Sequence, residues 1–207
     1  MYIPSAFRNV DLNEVKEFIK SNGFGILLSN SNQKILGSHI PLDLIEDENG
    51  NEVLSGHIAK ANHQVEDISG TSSEVLVIFN GPHSYISSSW YDHDNVPTWN
   101  YIAVHIYGTI KIIEGEQLYK ALNKLVDKYE KNMASPDSMD KMSPETLKQI
   151  NGIIGFNISI KEIQAAYKLS QNRKDYDYHN VVKELENNGD ENSLKVAKIM
   201  QEKRPKS

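Results

Sequence analysis

The sequence predicts an α+β fold: an antiparallel β-barrel, closed or split, with peripheral helices and a C-terminal helical extension. Three observations predict it. Short apolar runs rich in β-branched residues, at 24–29, 35–42, 53–58, 75–79 and 101–107, follow one another with turn signals between the first three, the pattern of antiparallel hairpins rather than of strands alternating with helices. The segment 116–133 instead carries Leu118, Ala121, Leu122, Leu125 and Val126 at helical spacing, with lysines interleaved on the other side. The length of 207 residues suits one barrel domain over 1–172 followed by a helical extension over 173–207.

The elements follow in order. Residues 2–7 form an extended entry, because Pro4 biases Ile3 away from helix. Asp11 is an N-cap with Glu14 three residues on completing a capping box, and Val15, Phe18 and Ile19 share one face of the helix that Asn22-Gly23 stops. Strands at 24–29 and 35–42 form a hairpin through a polar turn at 30–33. The turn 47–51 leads to a third strand at 53–58, and 59–68 forms a short helix. Strands at 75–79 and 101–107 continue an antiparallel meander, on which the helix 116–133 is laid. The polar, proline-punctuated stretch 134–144 is a loop, and Ser143 caps a short helix that starts at Pro144. Phe156, Ile158 and Ile160 alternate within a last long strand over 153–169. Two helices follow Tyr176, broken at Asn187-Asn188-Gly189.

Composition narrows the function classes. A formal net charge of −6 gives no general basic field to draw the protein onto DNA, and the basic tail 198–206 reads as a solvated helix end. The chain has no cysteine, which removes disulfides, thiolate metal sites and a thiol nucleophile, so redox chemistry requires a bound cofactor. No apolar run approaches the roughly 18 residues that span a bilayer, and the N-terminus shows no signal segment, so a cytoplasmic protein without a membrane partner is expected. Among the seven histidines no pair has the i, i+4 spacing of a zinc site and no HExxH occurs, so spacing supplies no metal site.

Two stretches carry chemistry. Between the strands at 75–79 and 101–107 lie both tryptophans, with Ser87, Ser89, Thr98 and Asn100 among them. Aromatic faces beside hydroxyl and amide donors suit a flat, polar-edged ring, so Trp90, Thr98, Trp99 and Asn100 are candidates to line a ligand; the same composition also serves a β-rich core. At a strand end, His57, Lys60 and Asn62 offer a cation, neutral donors and free backbone N–H groups, which is what a phosphate needs, although a lysine at such a place is also commonly solvated. Ser38 and His39 are polar residues within an apolar strand and need partners if they face inward.

The phrases GPHSYISSSWY and VPTWNYIAVHIYG, with MYIPSAF and GHIAKAN before them and KLSQN near residue 170, resemble the PaiB-type FMN-binding negative transcriptional regulators. The resemblance implies the FMN-binding split barrel also used by pyridoxamine phosphate oxidases, FMN as cofactor, and a homodimer with the cofactor at its interface. It implies that Lys60 contacts the FMN phosphate with His57 and Asn62 beside it, and that Ser38 and His39 reach the flavin edge unless they serve the barrel interior. Trp90, Thr98, Trp99 and Asn100 then line the ring or the substrate space above it, and Ser170, Gln171 and Arg173 close over phosphate or ring edge. Three positions depart from the family pattern: His63 and Ser88 stand where proline is usual, and Asp177-Tyr178 where an acid is followed by arginine.

The function that follows is that of an FMN-binding protein resembling these regulators. No helix pair with a basic recognition helix is visible, so regulation would proceed indirectly rather than by direct DNA binding. An FMN-dependent oxidoreductase or flavin reductase acting with NAD(P)H on a small molecule is the alternative, with His105, Tyr91 and Tyr101 as its acid–base guesses. A flavin-free protein whose aromatic wall serves dimerisation is the third.

Overall fold

The computed structural model describes residues 1–31, 34–70 and 73–204. In chain order its elements are α1 (Leu12–Ser21), β1 (Phe24–Ser31), β2 (Lys34–Glu46), β3 (Glu52–Ala59), α2 (Val65–Ile68), β4 (Glu74–Ile86), β5 (Thr98–Ile113), α3 (Gly115–Glu130), α4 (Pro144–Leu147), β6 (Ile153–Lys168), α5 (Asp175–Asn188) and α6 (Glu191–Lys203). The hairpin turn expected at 30–33 falls partly, and the end of the basic tail wholly, outside the described residues. The chain divides into two compact units, one of Lys16–Phe79 with Ile106–Ile163, the other of Met1–Val15, Asn80–His105 and Gln164–Ser207.

The first unit holds an antiparallel ring of strands in the order β1-β2-β3-β6-β5-β4, uneven because its strands run from 8 to 16 residues. It is an α+β split barrel rather than one continuous meander. β3 pairs with β6, from Val53 opposite Ser159 to Ala59 opposite Ile153, and β4 closes the ring against β1, with Ile26 opposite Ile78. The connection that begins at Lys60 and carries α2 is long enough to deliver β4 to the free edge of β1, which a tight hairpin turn would not allow. Alternate residues point inward: Leu27, Leu42, Leu54, Phe79, Ile106, Phe156 and Ile158 are sealed from solvent, each contributing about 1.5–3 kcal/mol of burial. Gly108 is required by close approach, since a Cβ there would meet the Ser159 carbonyl at 2.5 Å. Along α3 the residues Leu118, Ala121, Leu122 and Leu125 face Ile45, Ser55 and His57 of β2 and β3, and Lys128 pairs with Asp43 at 2.7 Å.

In the second unit α5 and α6 form a helical pair whose inner face is Tyr178, Val181, Val182, Leu185, Val196, Ala197 and Met200. Gly189, at φ 69°, takes the left-handed conformation that ends α5, and Asp190 accepts from the N–H groups of Asn192 and Ser193 to start α6. The two helices expected after Tyr176 are therefore present with their break where it was expected.

Several local expectations shift. Asp11 caps α1, accepting from the N–H groups of Asn13 and Glu14, but the capping box is not completed: the Asp11 N–H goes to Asn9 Oδ1, and Glu14 turns to Asn9 and Lys203. The helix expected over 59–68 is confined to Val65–Ile68, because Asn62 first folds the chain into a turn. β4 runs through Gly81-Pro82; the proline lies past the Leu76–Ile78 stretch that pairs with β1, where its missing N–H costs that ladder nothing.

Candidate functional site

In the barrel unit the sequence candidates meet at the end of β3. Asn62 organises the turn there, donating its N–H to the Ala59 carbonyl at 2.9 Å and accepting the Gln64 N–H on Oδ1 at 2.9 Å. Its Nδ2 donates to Ser38 Oγ in the middle of β2 at 2.8 Å, so Ser38 and Asn62 are brought together. Behind them Gln64, 1 % exposed, donates to the Leu27 and Leu36 carbonyls and to Ser29 Oγ. Ser29 in turn donates to Asp67 at 2.9 Å. Buried amide hydrogen bonds of this kind fix the turn against β1 and β2.

Lys60 sits on this fixed turn, its N–H bonded to the Gly152 carbonyl at 2.9 Å. Its side chain is exposed, and among the described residues no carboxylate lies within 4.0 Å of it. It edges a cavity of about 270 Å³ with Gly115, Asn151 and Ile153. Glu114 lines the same cavity, so an anion is better served by the exposed side of Lys60 than from inside it.

The other two polar candidates of this unit point elsewhere. His39 is exposed and stacks against Phe24 with ring centroids 6.4 Å apart. His57 faces the cavity beneath α3, among Leu118, Leu122 and Leu125, and burial lowers its pKa below the ordinary 6.5.

In the second unit the candidates form a chain of contacts at the end of β6. Asn100, fully buried, donates from Nδ2 to Ser170 Oγ at 3.0 Å and accepts from the same hydroxyl at 3.1 Å. Ser170 adopts φ 58°, a left-handed conformation unusual for a side chain other than glycine. Gln171 accepts the Leu169 N–H at 2.7 Å and donates to the Tyr167 carbonyl. Arg204 then ties the loop to the end of α6 by donating to the carbonyls of Gln171 and Arg173, at 3.1 and 3.0 Å. The polar groups of Asn100, Ser170 and Gln171 are thus spent largely on their own chain.

Four candidates here keep an outward side. Arg173 lies over the Tyr91 ring at 4.9 Å. Trp99 is 52 % exposed and forms an aromatic group with Tyr85, edge-on at 5.9 Å, and His83 at 6.1 Å. Thr98 accepts from Lys168. Trp90 is half-buried, its carbonyl held by Asn180 at 2.6 Å.

Sequence reasoning gave no role to Lys168, although it named the phrase that Lys168 opens, and it missed Gln64 and Arg204. Lys168 lies over the Phe7 ring, and burial, with the charge of Arg173 second, lowers its pKa. Its signal was a lysine closing an apolar strand immediately before Leu169-Ser170. For Gln64 and Arg204 no local pattern announces the role, since their partners are 28 or more residues away.

Comparison with known proteins agrees with this architecture. Residues 1–162 match the family model described as "Putative FMN-binding domain". The chain is 41 % identical over 204 residues to the "Protease synthase and sporulation protein PAI 2" of Bacillus subtilis, covering 98 % of each chain. Among solved structures it shares its fold with an FAD and heme binding protein from Mycobacterium smegmatis, at TM-score 0.61 and 11 % identity, covering 78 % of this chain and 73 % of that one. It also shares its fold with a flavocytochrome from Azotobacter vinelandii, at TM-score 0.58 and 16 % identity, covering 84 % and 75 %. Identities this low carry the fold alone. The family match and the full-length relative carry more: this chain belongs to the FMN-binding-domain family of PaiB-type proteins.

Proposed function

We propose that the protein binds FMN and acts as a PaiB-type regulator in the cytoplasm, with the FMN phosphate taken by Lys60. The observation that carries this reading is Lys60 itself: an exposed cation on a rigid turn at a strand end, with no carboxylate partner among the described residues, in a chain of which residues 1–162 match an FMN-binding family. A dianionic phosphate gains a charge-assisted contact there without displacing an existing ion pair. Ser38 and Asn62 hold the turn in shape, and His39 is free to meet a flavin edge. In the second unit Trp99 and Trp90, with Thr98 and Arg173, offer ring faces and donors that a flavin could use, while Asn100, Ser170 and Gln171 hold the loop that presents Arg173. His57, under α3, acts at most through the position of β3. With a net charge of −6 the reading favours control of transcription through a partner over direct DNA contact.

A homodimer completes the proposal. The outward face of β4, β1 and β2 sets Ile78, Ile26 and His39 in one row and Leu76, Leu28 and Gly37 in the next. Phe24 and Ile35 beside them are 67 % and 72 % exposed. A partly exposed, mainly apolar strand face of this kind suits a second copy of the chain.

Among the described residues no helix is long and apolar enough to cross a membrane. The deciding experiment is the visible spectrum of the purified protein before and after FMN is added, followed by a flavin-fluorescence titration. The expected result is saturable binding of one FMN per chain; a protein that stays colourless and leaves FMN fluorescence unchanged overturns the reading.

His105 favours a second reading, an FMN-dependent oxidoreductase working with NAD(P)H. Among the described residues its buried Nδ1 has no hydrogen-bond partner, and burial, with the N-terminal charge second, lowers its pKa so that it stays neutral near pH 7. Turnover of NAD(P)H in the presence of FMN that is lost in His105→Gln supports it; a protein that binds FMN but oxidises no NAD(P)H rejects it.

A further inference from the structure

Next to Tyr91, whose ring lies 5.8 Å from that of His93, the loop after Trp90 and the first turn of α5 bring three metal-ligating side chains together. His93 Nδ1 lies 2.7 Å from Asp92 Oδ1 and 3.7 Å from Asp177 Oδ2. One ligand atom from each of the three residues falls within 4.8 Å of the others. Asp92 and His93 are open to solvent, with side chains 59 % and 49 % exposed, whereas the Asp177 side chain is 3 % exposed.

The burial of Asp177 is a separate observation that asks for a cation. A carboxylate taken out of water requires a counter-charge or several hydrogen bonds. Among the described residues Asp177 accepts one hydrogen bond, from the Asp92 N–H at 3.3 Å, and its Oδ2 faces only the His93 ring nitrogen at 3.7 Å. Among the described residues no lysine or arginine lies within 4.0 Å of it. The arginines of this unit that flank it in sequence are committed elsewhere: Arg173 lies on the Tyr91 ring, and Arg204 pairs with Asp175 at 3.1 Å. The partial positive charge at the start of α5 offsets only a fraction of a full negative charge. One imidazole nitrogen and two carboxylate oxygens are ligand types that suit a first-row divalent ion, whose bonds of about 2.0–2.2 Å place neighbouring ligand atoms roughly 3–3.6 Å apart, so that binding requires small shifts from the 2.7 and 3.7 Å seen here.

We propose that Asp92, His93 and Asp177 form a site for a divalent transition-metal ion of the zinc or manganese class, which ties the loop after Trp90 to α5. The ion neutralises the buried carboxylate, and His93 binds it through Nδ1 as a neutral imidazole that carries its proton on Nε2. The exposed sides of Asp92 and His93 leave the remaining coordination positions to water.

The test is calorimetric titration of the full chain, stripped with EDTA, with ZnCl2 and separately with MnCl2, for the wild type, His93→Gln and Asp177→Asn. The expected result is one equivalent bound by the wild type and an affinity at least tenfold weaker in each variant. The melting temperature of the wild type should also rise with metal, and that of His93→Gln should not. His93 is exposed, so its variant is expected to fold even if Asp177→Asn does not. Two results overturn the proposal: no saturable binding of either metal, or binding unchanged in His93→Gln. The first, with a His93→Gln variant destabilised in the absence of metal, would assign the cluster instead to a protonated histidine bridging two aspartates.

Discussion

The turn at Lys60 and the loop from Leu169 to Arg173 look alike in the sequence, each a short polar phrase at the end of an apolar strand, yet the fold uses them differently. At Lys60 the neighbouring amides of Asn62 and Gln64 hold the turn, and among the described residues the cation has no carboxylate partner. At 169–173 the amide of Gln171 and the buried pair Asn100 and Ser170 satisfy one another, and Arg204 closes the loop from α6. The difference teaches that a polar residue type shows only that a hydrogen bond will be made. Whether any capacity is left for a ligand depends on what the chain brings to it.

This contrast can be broken or sharpened by substitution. The largest effect is expected at Asn100: replacing it by alanine leaves Ser170 unsatisfied and a cavity beside Met200, and should cost about 2–4 kcal/mol in urea denaturation. A stable Asn100→Ala protein that has lost FMN would instead make Asn100 a ligand group. Lys60→Ala should weaken FMN binding by about 1.5–3 kcal/mol in a fluorescence titration while changing stability by less than about 0.5 kcal/mol; unchanged affinity removes Lys60 from the site. Ile35→Lys, on the outward strand face, should weaken self-association by about 1–2 kcal/mol in sedimentation equilibrium, and an unaltered dimer would move the interface elsewhere. Trp99→Ala should lower FMN affinity by only about 0.5–1.5 kcal/mol, the worth of one aromatic contact.

The smallest effect concerns pH. Folded His57 and His105 resist protonation because burial lowers their pKa, whereas in the unfolded chain they titrate near the ordinary 6.5. Below that value the unfolded state binds protons that the folded state refuses, so stability should fall as the pH drops from about 7 towards 5. His57→Gln should flatten part of that slope in denaturation curves taken across the range; an identical slope would show that His57 titrates alike in both states.

Most of the barrel was legible because alternation is a local signal. The strand cores at 24–29, 35–42 and 53–58, the α3 stripe and the helix break at Gly189 can each be read within a window of about ten residues. The closure of the ring could not: the pairing of β1 with β4 and of β3 with β6 joins residues 48 to 106 positions apart, and nothing local at Ile26 names Ile78 as its neighbour. The candidate site divides along the same line. Lys60 and Asn62 were found together because they are two residues apart, while the role of Gln171 could not be separated from that of Arg173 without knowing where Arg204 lies. The histidine spacings gave no metal cluster for a similar reason, since Asp177 is 84 residues from His93.

By itself, then, the sequence determined the kinds of element and their order, the exclusion of thiol chemistry, and the family to which the chain belongs, because periodicity, composition and motif are properties of neighbouring residues. Only the tertiary structure decided which polar groups are consumed internally and which are left over. Among the described residues it leaves Lys60 without a carboxylate partner, turns His57 under a helix, and buries Asp177 beside His93 with no lysine or arginine within 4.0 Å. The physical reason is that desolvation and hydrogen-bond satisfaction are set by whatever the fold packs against a side chain, and those partners come from distant parts of the chain.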